Sequence, residues 1–126
     1  MSLRFEPPSG GLVAGITVVL DYPEGKVDLP GNGTGPFPSG TLSGPPAGAS
    51  ISVNDLNTNS KGHAVRVTVT GANGTAIPIG QLLRFRMQDC EGATAPTADQ
   101  FLCTVLVATD PFLNRVNGVR CFVVFP

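Results

Sequence analysis

The clearest periodicity in the chain is Ala64–Thr70, AVRVTVT, where Val65, Val67 and Val69 alternate with Arg66, Thr68 and Thr70. A period of two places the valines on one face of a β-strand and the polar residues on the other. Gln81–Gln88 repeats the pattern, with Leu83, Phe85 and Met87 inward and Arg84, Arg86 and Gln88 outward. In Leu12–Tyr22, Ile16, Val18 and Leu20 share a face, and Thr17, Val19 and Asp21 the other. Both faces are largely apolar, which predicts a central strand covered on both sides. Shorter extended pieces are predicted at Leu3–Glu6, Lys26–Leu29 and Ser50–Val53. The last quarter, Phe101–Pro126, reads as a β-hairpin: FLCTVLVA, a connection TDPFLNRVNG, then VRCFVVFP.

Between these runs lie turn signals. Asn73-Gly74 has the chemistry of a turn with positive φ, and Pro7-Pro8 and Pro23-Glu24-Gly25 end the strands before them. From Gly31 to Gly48, ten of eighteen residues are Gly or Pro. That density predicts a long surface loop with no ladder, read as a tolerated insertion rather than a functional element. No stretch has a helical period. The expectation is an all-β sandwich of about eight or nine antiparallel strands in one domain over residues 1–126.

Composition supports this and removes some functions. Sixteen Gly and twelve Pro suit many tight turns, and 41% apolar against 13% charged residues suits a packed core. A net charge of −1 leaves no electrostatic footprint for nucleic acid. No apolar run, Ile16–Leu20 included, is long enough to span a bilayer, so no membrane insertion is expected. Met-Ser-Leu is followed at once by charged and Pro-rich sequence, with no signal peptide. The opening reads as an excised domain of a larger protein; if excision removed a first strand, the exposed sheet edge would pair with a second copy.

Three cysteines leave at least one without an internal partner. Cys90 and Cys103 flank a twelve-residue connection that a disulfide would close at its base, and this pairing is favoured. The rival is Cys103 with Cys121, which lie about opposite each other if the final hairpin centres near Pro111–Phe112. The lone His63 at a strand start has no neighbouring ligand or nucleophile and reads as solvated. Asp55, Asn57 and Asn59 open like a calcium loop, but Ser60 stands sixth and Arg66 twelfth, where a Gly and a bidentate Glu are needed. That excludes an EF-hand; Asx-turn chemistry is the default, and an irregular sandwich-loop calcium site the alternative. The acidic residues offer no pair suited to glycoside chemistry. Arg66, Thr68, Arg84, Arg86 and Gln88 would form one flat basic and polar patch if their strands are neighbours, and this patch is the candidate partner surface. With no Trp and a single Tyr, Tyr22 is the one candidate platform for stacking a sugar.

The run from Ile77 to Val123 resembles the C-terminal half of cohesin-like domains. It carries an I-P-x-G turn (Ile77–Gly80) before an alternating strand, then P-T-A-D-x-F-x-C-T-V from Pro96, A-x-D-P from Ala108 and G-V-x-C from Gly118. VAGITVVLDYPEGKVDLPG, Val13–Gly31, resembles the matching early strands. The resemblance covers about two thirds of the chain. It implies a nine-stranded jelly-roll sandwich, shared with certain carbohydrate-binding modules, in secreted, non-catalytic parts of larger proteins. The best-known members bind dockerin modules through one flat sheet face and assemble polysaccharide-degrading complexes. The long Gly/Pro loop and the cysteines depart from those members.

The sequence thus points to a secreted or cell-surface interaction or adhesion module with no cofactor. Its partner would be a dockerin-type protein or a neighbouring domain. The alternative is a carbohydrate-binding module on the same architecture. A small hydrolase is a third class, for which no nucleophile, base and acid converge.

Overall fold

Alternating side chains build strands along this chain, ten of them among the described residues. They are β1 (Ser2–Glu6), β2 (Gly15–Asp21), β3 (Val27–Asp28), β4 (Leu42–Ser43), β5 (Ser50–Asp55), β6 (Ala64–Thr70), β7 (Gly80–Phe85), β8 (Gln88–Asp89), β9 (Leu102–Thr109) and β10 (Arg120–Val124). The structure, a computed structural model, describes residues 1–23, 27–28, 42–55, 64–86, 88–89, 92 and 97–125.

Two antiparallel four-stranded sheets carry the fold, in the orders β10-β1-β7-β4 and β5-β6-β2-β9; β3 and β8 form a separate two-stranded ribbon. The pairs nest. β5 pairs with β6, β4 with β7, β3 with β8, β2 with β9 and β1 with β10, each pair enclosing the one before it. The chain is therefore one long antiparallel ribbon doubled back on itself. Two further pairings, β1 with β7 and β2 with β6, gather the ribbon into sheets.

The two sheets face each other across one apolar layer. Leu3, Phe5, Leu83 and Phe85 come from one sheet and Ile16, Val18, Leu20, Val65, Val67 and Val69 from the other, all buried in a single cluster. Full burial of such side chains stabilises the fold by about 1.5–3 kcal/mol each, so this layer outweighs any single polar contact. In β6 the expected alternation holds: the three valines are buried, and Arg66 and Thr70 are exposed. The expected positive-φ turn forms at Asn73-Gly74, with φ of 53° and 73°. Before it, Gly71 approaches the Thr75 carbonyl so closely that a Cβ there would lie 2.0 Å from that oxygen.

Several expectations need correction. First, Gln81–Gln88 is not one strand: β7 ends at Phe85, while Gln88 belongs to β8 opposite Asp28; Met87 is outside the described residues. Second, the Gly/Pro-rich segment does hold a ladder, because Leu42 and Ser43, free of both residue types, pair with Phe85 and Arg84; residues 29–41 lie outside the described residues. Third, β2 is central, between β6 and β9, but only its inner face is fully buried; Thr17, Val19 and Asp21 are half-buried.

The fourth concerns the final hairpin. Its turn closes as expected: Thr109 bridges Arg115, the Asp110 amide donates to the Asn114 carbonyl at 2.9 Å, and the Val116 amide to the Ala108 carbonyl at 2.8 Å. The arms then part. β10 leaves β9 and pairs along its whole length with β1, which carries Val123 into the core opposite Leu3. Staying on β9 would have left β1 an unpaired edge and Val123 outside the core.

Where the arms part, a disulfide joins them. It is Cys103–Cys121, with Cα atoms 5.6 Å apart, rather than the favoured Cys90–Cys103. The hairpin register set at Thr109 and Arg115 brings Cys121 opposite Cys103, whereas Cys90 lies outside the described residues. Because β9 and β10 are edge strands of different sheets, the bond clamps one side of the sandwich.

The bond closes a loop of 18 residues, for which chain entropy gives roughly 3 kcal/mol. The Cys103→Ser/Cys121→Ser double variant should lose about that much stability in urea unfolding. Non-reducing peptide mapping should link the Cys103 and Cys121 peptides and leave the Cys90 peptide open to thiol labelling.

Candidate functional site

Burying the inner face of each sheet leaves the outer faces as the broad surfaces available to a partner. The outer face of β5-β6-β2-β9 is rich in hydroxyls. Strand register sets Ser52, Thr68 and Thr17 in one row, ending at Val107 on β9. The next row runs Ser50, Thr70, Gly15 and Thr109. Rows two residues apart along a strand are separated by roughly 7 Å, and neighbours within a row by about 4.8 Å. The Thr17 and Thr68 hydroxyls hydrogen-bond to each other at 3.1 Å, which orients this pair across the ladder. On the other side of Thr68, Arg66 stands exposed opposite Val19, and Val19 in turn faces Thr104 of β9.

At the β9 side the face turns apolar. Leu102, Leu106 and Val107 are exposed. Leu106 is the extra residue of a bulge, since Thr17 pairs with Val107 and Val18 with Val105. A bulge twists an edge strand and leaves one residue unpaired. The face therefore combines hydroxyls that donate and accept, one guanidinium and an apolar margin. That composition fits a protein interface, where an apolar core meets polar groups with Arg favoured.

The patch expected from the sequence is not contiguous. Arg66 and Thr68 lie on this face, but β7 belongs to the other sheet, so exposed Arg84 lies on the opposite side of the sandwich. Arg86 follows β7 and is exposed, and Gln88 sits in the β3–β8 ribbon. The two alternating strands share an inner core rather than an outer face. Thr17, Ser52, Thr104 and the β9 leucines were missed. Their signal was the polar phase of the β2 strand, masked by Val19.

Tyr22 is 4% exposed and belongs to the core cluster, so no sugar can stack on its ring. It follows directly on the buried phase of β2, where Leu20 is also buried. His63, Asn57, Asn59 and Ser60 lie outside the described residues. Among the described residues no group of three or more His, Cys, Asp or Glu is placed to hold a metal ion. Near Arg84, the Met1 amino group donates to the Phe85 carbonyl at 3.2 Å. Burial, and then the charge of Arg84, hold this amine below its ordinary pKa.

Compared with protein families, curated proteins and solved structures, the chain matches none.

Tyr22→Ala should behave as a core truncation and cost about 3–5 kcal/mol in chemical unfolding. A surface platform would instead lose binding with its stability intact.

Proposed function

We propose that the chain is a non-catalytic, extracellular protein-interaction or adhesion module of cohesin type. Its two-sheet sandwich is read as a jelly roll, the architecture in which one long antiparallel ribbon is rolled into two packed sheets. The nesting of the strand pairs supports that reading. The partner is a dockerin-type module or a neighbouring domain of the same protein, within a cell-surface or polysaccharide-degrading assembly.

One observation carries the reading: the outer face of β5-β6-β2-β9, with the hydrogen-bonded Thr17–Thr68 pair, exposed Arg66 and the apolar β9 margin. Extracellular placement is supported by the Cys103–Cys121 bond, since such crosslinks persist in oxidising compartments. Among the described residues no helix is long and apolar enough to cross a membrane. The carbohydrate-binding alternative loses its platform with the burial of Tyr22.

Isothermal titration against a panel of calcium-loaded dockerin modules tests this. Arg66→Glu should weaken a bound module by about tenfold or more at unchanged melting temperature, and Arg84→Glu, on the opposite sheet, should not. Adsorption to insoluble cellulose, xylan or chitin that survives Arg66→Glu, with no dockerin bound, would overturn the reading in favour of a glycan.

A further inference from the structure

Two hydrogen bonds inside the sheet β5-β6-β2-β9 fix which backbone groups point outward at its β5 edge. The Gly71 amide donates to the Ala14 carbonyl at 2.8 Å, one rung beyond the Gly15–Thr70 pair. In an antiparallel ladder, hydrogen-bonded rungs alternate with rungs that exchange no backbone bond and bring their side chains closer. Counted from Ala14–Gly71, the Thr17–Thr68 rung is of the second kind, in agreement with its hydroxyl contact at 3.1 Å. Thr68 therefore turns its N–H and C=O towards β5, where it meets Ser52. Ile51 and Val53, on either side of Ser52, turn theirs to the open edge of the sheet.

That edge differs from the other three. β4 is two residues long, β9 carries the bulge at Leu106, and β9 and β10 are tied to each other by Cys103–Cys121. β5 is six residues in unbroken register with β6, and among the described residues nothing pairs with its outer side. Charge and proline are common guards of an edge. Neither occurs from Ser50 to Asn54; Asp55 carries the first charge. Ile51 and Val53 pack on the core, and Ser52 is exposed on the outer face. An unguarded, regular edge of this kind is a template for a further strand.

β5 is itself a strand that fits. Two antiparallel copies related by a two-fold axis through Ser52 set Ile51 of each opposite Val53 of the other. These are the residues whose N–H and C=O point outward in both copies, so each such rung exchanges both of its backbone bonds. The same register joins apolar inner face to apolar inner face, and Ser52 meets Ser52 across the axis on the outer face. Ser50 falls opposite Asn54, so no like charges are opposed. A shift of one residue sets inner residues of one copy against outer residues of the other. A shift of two sets Ile51 opposite Asp55 in one direction. In the other it sets Val53 opposite Ala49, whose amide is already given to the Pro46 carbonyl at 3.0 Å. One register thus satisfies backbone, side-chain pattern and charge together.

We infer that β5 of one copy pairs antiparallel with β5 of a second copy about a two-fold axis through Ser52, joining the two β5-β6-β2-β9 sheets into one. The contact uses the same strand on both copies, so it closes at a dimer. The hydroxyl-bearing faces of both copies then lie on one side of the joined sheet. The pairing involves the edge rather than the face, and its test needs no dockerin, so its failure and that of the partner-docking reading are distinguishable.

Sedimentation velocity of the 126-residue chain, from micromolar to millimolar concentration, tests it, together with cysteine crosslinking in a Cys90→Ser background. The wild type should pass from monomer to dimer and no further. Val53→Pro removes an N–H that β6 does not use, in the one orientation an edge strand tolerates, and should remain folded and monomeric. Ser52→Lys opposes two like charges across the axis and should raise the dimer dissociation constant about tenfold or more. With oxidised glutathione, Ser52→Cys should form a disulfide-linked dimer, because the Ser52 rung brings its side chains together. Ser50→Cys, which faces Asn54, should not. A wild type that stays monomeric to millimolar concentration overturns the inference. So does a dimer indifferent to both Val53→Pro and Ser52→Lys, or crosslinking equally efficient at positions 50 and 52. Protection of the Ile51 and Val53 amides from hydrogen exchange in the monomer overturns it in favour of a segment of the same chain on that edge.

Discussion

Two sheets that are each apolar on one face can remove those faces from water only by packing against each other. The rest of this structure depends on that mutual burial. Leu3, Phe5, Leu83 and Phe85 on one side, and the alternate residues of β2 and β6 on the other, form the shared layer. It explains why β10 abandons the hairpin begun at Thr109. On β1 it completes the ladder and carries Val123 inward. The nested pairing is the topology by which a single ribbon supplies both inner faces. It joins residues far apart in sequence, β1 with β10 most of all, so loop closure is costly and folding of this kind is slow.

The Cys103–Cys121 bond acts where that topology leaves a weakness. β9 and β10 are outer strands of different sheets, and among the described residues no ladder ties one to the other. A covalent link at the parting of the arms supplies the tie and reduces the freedom of the unfolded chain. The bulge at Leu106 twists the same edge and interrupts its regular pairing. Two devices thus guard one edge without adding apolar surface to the core.

With the interior committed, interaction chemistry falls to what points outward. The outer face of β5-β6-β2-β9 offers rows of hydroxyls with Arg66. The Phe112–Leu113 turn offers a small, rigid apolar projection. The first suits a wide, mostly polar contact and the second a narrow, apolar one.

By itself the sequence determined the longer strands β2 and β6, their inward residues and the positive-φ turn at Asn73-Gly74. Those properties follow from local periodicity and local backbone preference, and the valines of β6 are buried as their alternation requires. It also narrowed the bridge on Cys103 to two candidates. Only the tertiary structure decided which strands are neighbours. Arg66 and Arg84 have the same local pattern, yet pairing of β6 with β2 and of β7 with β1 sends them to opposite sides of the sandwich. The same holds for Tyr22, buried in the shared core, and for Cys121, brought to Cys103 by the register set at the Thr109–Arg115 bridge. Strand order and cross-sheet contact depend on which apolar faces meet, and period-two alternation is identical whichever partner a strand finds.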